Sequence, residues 1–194
     1  MSSFLKLAQA DVLDAPRRAF LERSGGLLSA SAIALMAGCE SLAAKNAMAD
    51  DGSDARILNT ALAAELEAVA AYQLGADSGL LQPATQRLAL TFQGHHRAHA
   101  DLLAATVRKL GGAPAQPKSD YGFPVERLKA QDDVLRFAAQ LEKGAVSAYL
   151  GAVPVFEDRQ LAKAAASILG DEAMHWAVLR HALGEEPVPV AFVA

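Results

Sequence analysis

The sequence predicts an all-α domain: four antiparallel helices forming a bundle, with one long crossover between helices 2 and 3. Composition is the first observation behind this. Of 194 residues, 52% are hydrophobic and only 6% aromatic, and Ala and Leu dominate, which suits helices long enough to bury a real core. The second is helical periodicity in four long segments. The third is the spacing of the connections, which runs short, long, short.

Helix 1 is expected from about Ala55 to Leu74, stopping near Gly75, with Asp54 as its N-cap. Helix 2 covers about Ala84 to Leu110 and ends at Gly111-Gly112. Helix 3 covers about Val125 to Val153, with Pro154 marking its end or a kink. Helix 4 covers about Gln160 to Leu183, stopped by Gly184. About nine residues join helices 1 and 2 and about six join helices 3 and 4, so each pair forms an antiparallel hairpin. Between the hairpins, "GGAPAQPKSDYGFP" is long enough to run the height of a bundle. "ALAAELEAVAAY" in helix 1 and "AAQLEKGAVSAY" in helix 3 also look alike, as expected of a repeated two-helix unit.

Residues 1–54 stand apart from the bundle. "PRRAFLERSGGLLSASAIALMAGC" joins an Arg17-Arg18 pair to an apolar stretch from Gly25 to Gly38. It looks like a twin-arginine export signal, too short to span a bilayer. The only cysteine, Cys39, ends "LMAGC", which resembles a lipobox. In that reading residues 1–38 are removed and Cys39 carries the lipid; the alternative is cleavage at Ala47-Met48-Ala49. Residues 39–54 would then be a tether, 55–187 the bundle and 188–194 a tail. The resemblance implies export to the periplasm or cell envelope, with a membrane contact through a lipid on Cys39. Net charge is −4 with no basic block, which excludes a nucleic-acid footprint.

The informative residues are polar ones on apolar stripes. At about 100° per residue, Leu161, Ala165, Ile168, Glu172, His175, Leu179 and Ala182 share one face of helix 4. Helix 2 aligns Ala89, Gln93, His96, Ala100, Leu103, Val107 and Leu110. Helix 1 aligns Leu58, Leu62, Glu65, Val69 and Tyr72; helix 3 aligns Leu135, Glu142, Val146, Tyr149 and Val153. A buried carboxylate is costly unless it is paired or bound to metal. The stripes hold three glutamates and two histidines but no Lys or Arg, and carboxylate with imidazole suits Fe, Mn or Zn. The other reading is salt bridging between these groups without metal.

"EAMH", residues 172–175, resembles the Glu-x-x-His of ferritin-like di-metal carboxylate proteins. Such sites take one Glu from each of two helices and Glu-x-x-His from the other two. Glu65-x6-Tyr72, repeated as Glu142-x6-Tyr149, is also similar to that family, and "FQGHHRAHADLLAATVRKLGG" resembles its exported bacterial members. The resemblance spans about residues 55–187. It implies the ferritin-like bundle, a centre of one or two divalent ions (iron, with Mn or Zn as alternatives), and the ligands Glu65, Gln93, His96, Glu142, Glu172 and His175. The expected partner is a metal ion or a small oxidant such as dioxygen or peroxide, with Tyr72 and Tyr149 as redox tyrosines or plain core residues. One position departs from the pattern: Gln93 stands where the family has a carboxylate, and an amide cannot bridge two cations as a carboxylate does.

The remaining polar residues have plainer expectations. His95 is expected to face solvent, and so is Glu67. His99 is either a ligand's neighbour or a groove residue, and Asp171 either bonds an imidazole or is solvated. His181 is a helix C-terminal cation and Trp176 a packing residue. The functions that remain are a redox-active metal protein, a metal-stapled or stress-protective envelope protein, and a metal-free bundle. Oligomeric state stays open.

Overall fold

A computed structural model describes residues 53–193. The proposed signal, Cys39 and almost all of the tether lie outside the described residues. Four long helices make up the bundle: α1 (Ser53–Asp77), α2 (Pro83–Lys109), α3 (Gln131–Ala152) and α4 (Arg159–Ala182). Among the described residues there is no strand, and no helix is long and apolar enough to cross a membrane. The long crossover between α2 and α3 is present, so the architecture is the one the sequence predicts.

The helix ends follow local chemistry. Pro83 opens α2, where a missing N–H costs nothing. Gly111 (φ 80°) and Gly184 (φ 73°) close α2 and α4 in the left-handed conformation that favours glycine. Asp158 caps α4 by accepting from the Gln160 amide at 2.6 Å.

Three boundaries differ from expectation. Helix 3 starts at Gln131, because Asp133 Oδ2 accepts from the amides of Lys129 and Ala130, each at 2.9 Å, and fixes the first turn there. Val125–Arg127 forms only a 3-10 turn. Helix 1 runs past Gly75, which is not a stop: a Cβ there would lie 3.1 Å from Val134 Cγ1, so Gly75 lets α3 approach. Asp54 lies inside α1 instead of capping it, and its carboxylate accepts from the amides of Glu157 and Asp158 at 3.0 and 2.9 Å. That contact ties the start of α1 to the α3–α4 turn.

Two apolar clusters form the core. One contains Leu58, Leu62, Leu103, Val107, Tyr149, Phe156 and Ile168. The other contains Tyr72, Phe92, Leu135, Ala139 and Leu179. On every helix the polar stripe residues fall between the segments that feed these clusters, so they meet as one layer across the middle of the bundle. α1 is the most enclosed helix, with no exposed residue from 57 to 76. The crossover covers part of it, since Asn59 pairs with the Ala113 carbonyl (2.9 Å) and the Ala115 amide (2.6 Å). Glu67, expected at the surface, is buried, in one row with the buried Ala71 and with Gly75, which packs against Val134 of α3.

Candidate metal centre

Glu65, Gln93, His96, Glu142, Glu172 and His175 are all buried, at 3% exposure or less. α1 and α3 contribute by a crossed pairing. Tyr72 Oη on α1 donates to Glu142 Oε1 on α3, while Tyr149 Oη on α3 donates to Glu65 Oε1 on α1, the latter at 2.6 Å. Each tyrosine lies seven residues, two turns, after its own helix's glutamate, so the two helices exchange identical contacts.

His96 stands between the two glutamates. Its Nδ1 is 2.8 Å from Glu65 Oε2 and its Nε2 is 3.2 Å from Glu142 Oε1. Glu172 is completely buried and lies between two further imidazoles. Its Oε1 is 3.1 Å from His99 Nδ1, and its Oε2 is 3.6 Å from His175 Nδ1. None of these four atoms has an aligned hydrogen bond, and Glu142 Oε2 has none either.

The charges act strongly on one another. Burial alone would lower the pKa of His96, but hydrogen bonds to Glu142 and Glu65 raise it well above the ordinary imidazole value. Burial opposes His99 and His175 in the same way. Glu172 and Glu65 raise the first to about 9, and Glu142 and Glu172 raise the second to about 9. Burial would raise Glu142, yet His175 and His96 hold it well below the usual carboxylate range. Burial pushes the Tyr72 and Tyr149 phenols up, and Glu142 and Glu65, respectively, push them further.

These donors could also hold a metal ion. Buried oxygen and nitrogen atoms facing one another without hydrogen bonds are costly, and in a folded protein such groups call for an ion or a partner. Here they fall into two sets, each with its donor atoms within 4.8 Å of one another. One is Glu65, His96, His99 and Glu172; the other is His96, Glu142, Glu172 and His175. Glu172 and His96 belong to both, with one Glu172 oxygen near His99 and the other near His175. Carboxylate oxygen with imidazole nitrogen is the donor chemistry of Fe, Mn and Zn.

Gln93 is differently engaged. Its amide nitrogen donates to the Val69 carbonyl at 2.9 Å and to Gln73 Oε1 at 3.0 Å, which ties α2 to α1. His99, which sequence reasoning left undecided, is in the cluster. The signal for it was present in the chain: His96 and His99 are three apart, the same spacing as Glu172 and His175. His95 is half-exposed, as expected, but its ring also reaches inward, with Nδ1 3.1 Å from Asp171 Oδ2 and 2.9 Å from His175 Nε2. Asp171 takes the imidazole-bonding role. Trp176 packs beside the second apolar cluster, with Lys143 and Arg180 over its ring at 6.0 and 5.6 Å.

Fold and site together define a four-helix bundle with a carboxylate–imidazole cluster at mid-height. The chain belongs to the ferritin-like domain family, whose model matches residues 53–185. Among solved structures, the fold is similar to a conserved hypothetical protein, rv2844, from Mycobacterium tuberculosis. The identity is 23% and the TM-score 0.64, covering 74% of this chain and 99% of that one. No curated protein matches the chain.

Proposed function

We propose that this protein is an exported metal-binding bundle whose centre holds two divalent ions, preferably iron, and reacts with dioxygen, peroxide or Fe(II). Glu172 carries the reading. It is a fully buried carboxylate with both oxygens unbonded, each facing the Nδ1 atom of a different histidine. Glu65 and His99 would hold one ion and Glu142 and His175 the other, with Glu172 and His96 common to both donor sets. When bound, such ions supply electron transfer to or from an oxidant.

The chain's own residues set the conditions for that chemistry. Tyr72 and Tyr149 each keep the phenol proton on a hydrogen bond to a carboxylate, at Glu142 Oε1 and Glu65 Oε1. A tyrosine that gives up an electron must lose that proton, and each carboxylate is in place to take it. The apolar clusters close the layer on either side along the bundle axis. Ion binding also displaces protons from the histidines, since a ligating imidazole must be neutral on the bound nitrogen.

The test is reconstitution of metal-free protein with Fe(II) without oxygen, followed by exposure to peroxide or air. Two ions per chain are expected, with Fe(II) oxidation or peroxide loss faster than in a variant carrying Glu172→Ala and His175→Ala. Folded wild-type protein that binds no ion overturns the metal centre. Two bound ions with no turnover leave a structural metal staple and overturn the redox reading.

A further inference from the structure

A second cluster lies outward of the centre and connects it to solvent. Asp171 Oδ2 is 3.1 Å from His95 Nδ1 and 3.4 Å from both His175 Nε2 and His99 Nε2. His95 Nδ1 and His175 Nε2 are 2.9 Å apart. Nitrogen and oxygen donors at about 2.0–2.1 Å from a tetrahedral ion lie about 3.3 Å from each other, so these separations approach those of a metal site. The side chain of His95 is 45% exposed and that of His175 only 2% exposed. A ring stack on Phe92, with centroids 4.0 Å apart, sets the plane of His175.

His175 faces both ways, with Nδ1 toward Glu142 and Glu172 and Nε2 toward Asp171 and His95. A neutral imidazole has only one nitrogen free to ligate. His175 can therefore serve an outer ion through Nε2 or an inner ion through Nδ1, but not both.

We propose that His95, Asp171 and Nε2 of His175 form an entry site for a divalent cation, which passes it inward by exchange at His175. With the ion outside, Nδ1 carries the proton and faces Glu142 and Glu172. With the ion inside, Nδ1 has passed that proton to the Glu142 carboxylate 3.4 Å away, and Nε2 has gained one from solvent by way of Asp171, to which it now donates. One proton leaves the ring and one arrives. The proposal rests on the inner centre as the destination, while the outer donors are a separate set except for His175.

Co2+ is a suitable probe, because its visible absorption reports coordination without turnover. In a variant carrying Glu65→Gln and Glu142→Gln, the outer residues are unchanged. One Co2+ is expected to bind there, and adding His95→Ala should weaken it at least tenfold. In otherwise wild-type protein, His95→Ala should slow filling of the centre at least fivefold in stopped flow, with the final number of ions unchanged. Unchanged filling in that single variant overturns the entry site, whether or not the double variant folds. A single ion bound equally by wild type and by the double variant, and lost with His95→Ala, supports the outer site and overturns the inner centre instead.

Discussion

α1 and α3 match one another closely, whereas α2 and α4 do not. The first pair contributes one glutamate and one tyrosine each, at the same seven-residue spacing and with the same crossed hydrogen bond. The second pair contributes unlike groups. α4 supplies Asp171, Glu172 and His175, while α2 supplies three histidines and an amide already bonded to α1. A symmetric scaffold thus carries an asymmetric donor set. With an amide at Gln93 where a second carboxylate would balance Glu172, the site has less negative charge to offset two cations. Its two positions should differ in affinity.

The largest break in this arrangement should come at Glu172. Glu172→Ala is expected to weaken both ions by at least about 100-fold, more than the 10–100-fold cost typical of an outer supporting residue. Glu65→Gln and Glu142→Gln should each weaken mainly one ion. Calorimetric titration of metal-free protein separates these cases, and equal loss in all three variants would contradict the shared position of Glu172.

Next in size is pH. The three histidines have raised values in the folded protein, His99 and His175 to about 9, against about 6.5 unfolded. Their contribution to stability is therefore complete below about pH 6.5 and is lost as pH rises through about 9. Glu142, held low, contributes above its ordinary value of 4.5 and loses that contribution in acid. Metal-free protein should melt highest between about pH 4.5 and 6.5 and lose about 1–3 kcal/mol by pH 9.5. Metal affinity should rise over the same alkaline interval as the ion replaces protons. Thermal melts with and without Zn2+ across this range test both trends.

The two tyrosines sharpen the symmetric half. Tyr72→Phe and Tyr149→Phe each remove one donor to a buried carboxylate, and each should cost about 1.5–3 kcal/mol, with similar losses from the two sites. Urea denaturation showing one variant neutral would break the equivalence of α1 and α3. The smallest expected change is at Gln93. Gln93→Glu would set a carboxylate against the Val69 carbonyl and should cost about 1–2 kcal/mol. The number of ions bound should stay the same, as calorimetry would show.

The bundle was legible because its apolar stripes, its crossover and the glycines after α2 and α4 are all local signals. The central glutamates were legible too, since a carboxylate in an apolar stripe must find a cationic or hydrogen-bonding partner inside the bundle. What escaped depends on three-dimensional covering or on side-chain reach. Glu67 looked exposed because a helical wheel assumes one buried face, whereas α1 has no exposed residue from 57 to 76. His99 stayed undecided because angle alone ignores that helical side chains lean toward the N-terminus. In the bundle its Nδ1 lies 3.1 Å from Glu172 Oε1. Gly75 read as a stop because only the approach of Val134 reveals its other use.

The crossed tyrosine–glutamate pairs have a consequence for modularity. Neither hairpin completes a donor set alone, since Glu172 completes the one built on Glu65 and His96 completes the one built on Glu142, and each of these glutamates takes its tyrosine from the opposite hairpin. The crossover contributes no residue to that layer. Two separate hairpins docked face to face would bring the same groups together. The centre is therefore a property of an interface, and a bound ion would report that the halves have docked, not merely that each has become helical.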